Sequence, residues 1–125
     1  MRLEEKIHFA LCDYIRLQYP SVFFISESSG IRTSMGVARK LKRTRSNHTH
    51  LDLYVLEPKG KHNALILELK AKSIFKKDGS LLKNEHFEEQ QDTINKLNKK
   101  GYYCAFACGL TEGIKIIDNY LNGNH

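Results

Sequence analysis

Three residues of this chain have the types and spacing for hydrolytic chemistry: Asp52, Glu68 and Lys70. They belong to two apolar runs, residues 51–57 and 63–71, joined by Pro58-Lys59-Gly60-Lys61, which read as a β-hairpin. Side chains alternate across a strand, so Asp52 and Tyr54 share one face, and in the next strand Ile66, Glu68 and Lys70 share one face. A turn pivoting near Gly60 pairs residues whose numbers sum to about 120. That register sets Asp52 opposite Glu68 with Cβ atoms roughly 5 Å apart. Like charges directly opposed in a sheet are destabilising and call for a compensating cation. Hard oxygen ligands suit Mg²⁺ or Mn²⁺, and the chain has no paired Cys/His set of the structural-zinc kind. Lys70 projects one pleat beyond Glu68, where its ammonium would reach a water or phosphate oxygen at the metal. The competing reading makes Asp52 a strand end and Glu68 and Lys70 a surface pair on a solvated face.

Two more polar residues fall on apolar stripes. At about 100° per residue, Glu4 lies between Leu11 and Ile15 on a helix over residues 3–18, and Glu5 points roughly the other way. Glu4 is either a functional acid or a first-turn residue favoured by the helix dipole. Gln90 lies within the stripe set by Phe87, Ile94 and Leu97, with Gln91 nearer its edge. A buried amide needs hydrogen-bond partners, which the carboxylate face would supply.

The elements that must position these residues follow from periodicity and breakers. The first helix ends before Pro20, a strand over 21–26 closes at the Ser28-Ser29-Gly30 turn, and a basic helix spans about 33–43. After the hairpin comes a Lys-rich connection, residues 72–83, around Asp78-Gly79. A helix over 84–100 stops at Gly101, a strand spans 102–107 and a helix spans 112–121. This α-β-α-β-β-α-β-α order requires a four-stranded mixed sheet with helices on its faces, an α/β fold. Residues 1–125 are expected to form a single domain, since 41% hydrophobic and 27% charged residues exclude a disordered chain.

No apolar run approaches the roughly 18 residues of a membrane span, and the charged start lacks a signal-peptide core, so neither export nor membrane insertion is expected. Cys104-x3-Cys108 is neither a zinc-knuckle nor a redox spacing, which points to reduced thiols in a cytoplasmic compartment.

The net charge of +6 favours a polyanionic partner. No acid occurs over residues 28–51, where Arg32, Arg39, Lys40, Lys42, Arg43 and Arg45 crowd together and His48 and His50 follow. The segment is either a nucleic-acid contact or a solvated helix face; nothing in it reads bases, so a nucleic acid would be held through its phosphates with strong salt dependence.

Asp52, then Glu68-Leu69-Lys70 after a hairpin, then Gln90 with Leu97 and Gly101-Tyr102 downstream, resemble the VRR-NUC branch of the PD-(D/E)XK nuclease superfamily, in its stand-alone phage and bacterial form. The resemblance runs from Glu4-x-x-Ile7 through Ser29-Gly30 to the last helix and includes Phe75-Lys76-Lys77-Asp78-Gly79. It implies a restriction-endonuclease-like core and a metal-dependent endodeoxyribonuclease. In it Asp52, Glu68 and the Leu69 carbonyl would hold Mg²⁺ or Mn²⁺, Lys70 would orient or activate water, and Glu4 and Gln90 would support the site. Family members carry Gly-x-Pro-Asp where this chain has Thr49-His50-Leu51-Asp52, so the approach to Asp52 differs. His48 and His50 there either contact phosphate or are polar loop residues. The resemblance further implies a homodimer acting on branched DNA, such as a four-way Holliday junction, in the cytoplasm of a bacterium or bacterial host. Two rivals are a non-catalytic nucleic-acid-binding module with the same fold, and an interaction protein presenting Tyr102, Tyr103 and Phe106.

Overall fold

The computed structural model describes residues 2–27, 34–46 and 48–124. Its elements run α1 (Leu3–Gln18), β1 (Phe24–Ser26), α2 (Met35–Lys42), β2 (Leu53–Val55), β3 (Leu65–Lys70), α3 (Glu85–Lys99), β4 (Tyr103–Cys108) and α4 (Leu110–Leu121), the order the sequence predicts. The sheet order is β1-β2-β3-β4. β1 and β2 pair antiparallel, as do β2 and β3, while β4 lies parallel to β3 after the α3 crossover.

All six residues of β3, Leu-Ile-Leu-Glu-Leu-Lys, are buried. A strand covered on both faces needs a layer on each. Leu65, Leu67 and Leu69, with Leu53 and Val55, face α1 and α4, where Leu11, Ile15, Ile117 and Tyr120 complete one core. Ile66 faces the α3 side, in a second core with Ile74, Ile94, Cys104 and Phe106. The α1–α4 contact is close because α4 carries Gly113, where a Cβ would lie 2.9 Å from Leu11 Cδ1. The Tyr14 and Tyr19 hydroxyls both donate to Asp118 of α4, at 2.7 and 2.6 Å.

The hairpin has the predicted register: Leu53 pairs with Leu67, Tyr54 with Ile66 and Val55 with Leu65, each pair summing to 120. Lys59 and His62 exchange backbone hydrogen bonds of 3.0 Å across the turn, and Gly60 supplies its positive φ of 57°.

Three expectations are corrected. β1 begins at Phe24 rather than residue 21, because Val22 N donates to Tyr19 O and ties the entry to the end of α1. α4 begins at Leu110, since Gly109 at φ 94° turns the chain from strand to helix in one residue. Phe106 is buried, with Phe75 edge-on at 6.0 Å, and Tyr102 and Tyr103 are half-buried, so these aromatics do not form an exposed partner surface. The helix α2 buries no residue; Ser34 caps it by accepting from Val37 N at 3.2 Å. Among the described residues no helix is long and apolar enough to cross a membrane.

Candidate active site

Asp52 is the residue immediately before β2, at the end of the strand that approaches Glu68. The regular ladder stops there. Asp52 N donates to Leu67 O at 3.0 Å, while Leu69 N, beyond the last strand pair, donates to the Asp52 side chain at Oδ2 over 2.8 Å. The carboxylate thus stands in for a strand acceptor and is held at the open end between β2 and β3. Glu68 is 4% exposed, and its carboxyl is pushed up to about 9, first by burial, then by the negative charge of Asp52 and a carboxyl–carboxyl hydrogen bond to it. Lys70 acts in the opposite sense without cancelling these effects.

The predicted companions converge on Glu68. Lys70 Nζ is 3.5 Å from Glu68 Oε2, and the side chain is buried, with its ammonium 5.0 Å above the Phe87 ring of α3. The solvated surface pair is therefore excluded: both residues lie under α3. Gln90 is 3% exposed and donates from Nε2 to Glu68 Oε2 at 3.0 Å. The same nitrogen is 3.2 Å from His86 Nε2, one helical turn earlier, a residue the sequence reading missed although its i−4 spacing from Gln90 was the available signal.

On the other side a cavity of about 280 Å³ opens beside Asp52 and Leu69, lined by Glu4, Glu5, His8 and Phe9 of α1. Glu4 lies on the predicted stripe but is exposed, in the first turn of α1 where it lines this cavity. Glu5, expected to point away, is half-buried and lines the same cavity. His8 is buried, with Nε2 2.5 Å from Ser26 Oγ, and was also missed; a histidine on the apolar stripe one turn after Glu4 was its only trace in the sequence.

The basic candidates separate. Arg39, Lys40, Lys42 and Arg43 are exposed on and just after α2. Arg32 lies outside the described residues. Arg45 differs from them: it is half-buried and paired with Glu27 at 2.5 Å. His48 and His50 line a groove of about 850 Å³ with Tyr54 and with Glu89, Asp92 and Lys96 of α3, away from the Asp52 cavity.

Among the described residues no group of three or more His, Cys, Asp and Glu is arranged to hold a metal ion. The donors at the sheet end are two carboxylates and the Leu69 carbonyl, which leaves the strand on the same side as the N–H given to Asp52. Such an all-oxygen set, completed by solvent, suits Mg²⁺ or Mn²⁺. A buried Glu68 beside a half-buried Asp52, with the Glu68 carboxyl raised first by burial and then by its neighbour's charge, is the electrostatic state that a cation relieves. Gln90 Oε1, buried with no hydrogen-bond partner among the described residues, is a further unsatisfied oxygen beside Glu68.

No protein-family model matches the chain, and no curated protein matches it. It is similar to a solved structure described as a VRR_NUC domain protein, with a TM-score of 0.69 and 19% sequence identity over 98% of this chain and 91% of that one. The chain therefore has the VRR-NUC fold, with a four-stranded mixed sheet between helical layers.

Proposed function

We propose that this protein is a Mg²⁺- or Mn²⁺-dependent DNA endonuclease that hydrolyses phosphodiester bonds in branched DNA, working as a homodimer in the cytoplasm. The observation that carries the reading is the buried Glu68 beside half-buried Asp52, with Lys70 and Gln90 converging on Glu68. The shared fold with a VRR_NUC domain protein supports it.

Asp52, Glu68 and the Leu69 carbonyl would hold the cation. When bound, it supplies Lewis-acid polarisation of a phosphoryl oxygen and lowers the pKa of the attacking water. The Leu69 N–H aims Asp52, and Gln90 aims Glu68. Lys70, restrained over the Phe87 ring, offers a fixed ammonium to the charge that develops on the phosphate. The cations of α2 hold the flanking backbone through phosphate contacts that carry no base information. One such site cuts one strand, so paired incisions at a junction require two subunits, and a two-fold dimer is the commonest arrangement.

The non-catalytic module is disfavoured by the cost of keeping Glu68 buried against Asp52, which a mere scaffold has no reason to retain. A nuclease assay on a four-way junction with Mg²⁺, with and without EDTA, tests the reading. Cleavage that EDTA abolishes, and that Asp52→Asn or Glu68→Gln removes while DNA binding persists, is expected. DNA binding without cleavage under any divalent cation would return the module.

A further inference from the structure

We propose that residues 72–83 form a second phosphate-binding arm that grips the DNA backbone on the β4 side of the carboxylates, opposite the arm carried by α2. The inference rests on the nuclease reading and adds a substrate contact to it.

The fourteen residues between Lys70 and Glu85 contain no helix or strand element. Connections of that length inside a compact domain are uncommon and are usually functional or disordered. This one is ordered by its own bonds. Leu82 N donates to Ile74 O at 2.8 Å, Lys76 N to Ser80 O at 2.7 Å and Gly79 N to Lys76 O at 2.9 Å. At the tip Gly79 takes φ 89°, and Asp78 Oδ1 accepts from both the backbone N and the hydroxyl of Ser80. The root is apolar: Ile74 is buried, and Phe75 stands edge-on to Phe106, the residue that pairs with Glu68 in the sheet register. The arm is therefore anchored one strand away from the metal-ligand candidate.

What the arm presents is charge. Lys72, Lys76, Lys77 and Lys83 are all exposed, and none is ion-paired among the described residues. Asp78 is the one acid over 71–84, and its carboxylate is committed to Ser80. A solvated linker needs neither a buried root nor a hydrogen-bonded tip, and four exposed lysines around a turn whose one acid is committed to Ser80 form an anion-binding surface.

Its place relative to α2 follows from the topology. The segment carrying α2 leaves the sheet after Ser26 and returns at Asp52, and these ends are joined by Glu27 N donating to Asp52 O at 2.8 Å. The 72–83 arm leaves from Lys70 at the same end of the sheet, on the other side of Asp52 and Glu68. A backbone crossing the carboxylates would meet cations on both sides of the reacting phosphate. The chemistry recognised is the phosphodiester chain itself, independent of sequence.

Salt dependence of duplex binding by the whole protein, measured without divalent cation, tests the arm. Losing two phosphate contacts lowers the slope of log K against log salt by about 1.8, so from about 50 to about 200 mM salt the wild type should lose about twelvefold more affinity than Lys76→Ala/Lys77→Ala. Lys76→Arg/Lys77→Arg should keep the wild-type slope, and the alanine variant should cut with raised KM and unchanged kcat. Coincident slopes for wild type and the alanine variant, with wild-type cleavage intact, would overturn the arm alone. A wild type that neither binds nor cuts DNA would overturn the nuclease reading and the arm together.

Discussion

Gln90 gives its Nε2 to Glu68 Oε2 over 3.0 Å while the other end of the same amide, Oε1, is buried with no partner among the described residues. Leaving a buried polar atom unsatisfied costs about 1–3 kcal/mol, so the residue is placed for the site and not for the core. In Gln90→Leu the orphan oxygen and the bond to Glu68 disappear together. Cleavage should fall about 10- to 100-fold, the range of a lost hydrogen bond to a charged group, while the metal-free melting temperature holds or rises. Steady-state kinetics and thermal unfolding of the same preparation decide it; undiminished turnover would remove Gln90 from the site.

Glu68 makes stability depend on pH in an unusual direction. Its carboxyl ionises near the ordinary 4.5 when unfolded and near about 9 in the fold. Between those values the native state holds one more proton than the unfolded chain, so this contribution is complete at low pH and drains away as pH rises through the window. Urea midpoints of the metal-free protein should fall from about pH 5 to about pH 9, Glu68→Gln should flatten the decline, and Mg²⁺ should restore stability most at the alkaline end. A profile identical in wild type and Glu68→Gln would contradict the burial argument.

Lys70 offers charge, not ligation. An ammonium has no lone pair for a cation, and removing a positive group 3.5 Å from Glu68 leaves a cation site no less attractive. Lys70→Ala should therefore lower kcat about 10²-fold, as loss of a transition-state donor does, with metal affinity by calorimetry retained or increased. Affinity lost along with rate would assign Lys70 to building the metal site instead.

Gly113 sets the distance between α1 and α4. Alanine there gains about 1 kcal/mol of helix propensity, which offsets part of the clash of its Cβ with the fully buried Leu11 at 2.9 Å. Valine gains less and adds two methyl groups to the same contact. Gly113→Val should lose about 2–3 kcal/mol in denaturant unfolding, with Gly113→Ala much closer to wild type.

Assembly separates junction resolution from simple strand nicking. Light scattering at working concentration should give twice the chain mass, with or without DNA, and a four-way junction should be cut in preference to linear duplex. A monomer in both conditions, or equal cutting of linear duplex, would leave a single-strand endonuclease without paired incision.

The site was legible in the sequence where short-range rules determine it. Alternation brings Asp52 and Glu68 together at one end of the sheet, where the charge and a hydrogen bond of Asp52 act on Glu68, although the regular pairing stops at Leu53, and helical spacing buries Gln90. Those rules give the direction in which a side chain leaves its element, and nothing about how far the neighbouring layer extends. Glu4 is on the correct stripe yet exposed, and Glu5, off the stripe, is half-buried and lines the same cavity. Arg45 was read with the other cations because its partner, Glu27, lies on the far side of the α2 segment. The segment over 72–83 read as a Lys-rich connection: its turn has a local signature in Asp78-Gly79, but the anchoring of its root, Phe75 against Phe106, has none.

The turn at Gly60 lies some eight residues along each strand from the carboxylates, on the order of 26 Å at 3.3 Å per residue. Its own bridge joins Lys59 to His62, numbers summing to 121, whereas the strand pairs sum to 120, so one residue of slack already lies between loop and sheet. The buried apolar face holds the register, because a slip by one would turn Leu53, Val55, Leu65 and Leu67 out of their core. A residue gained or lost between Leu56 and Ala64 is therefore taken up in the loop, which is free to drift in length while Asp52 and Glu68 keep their places.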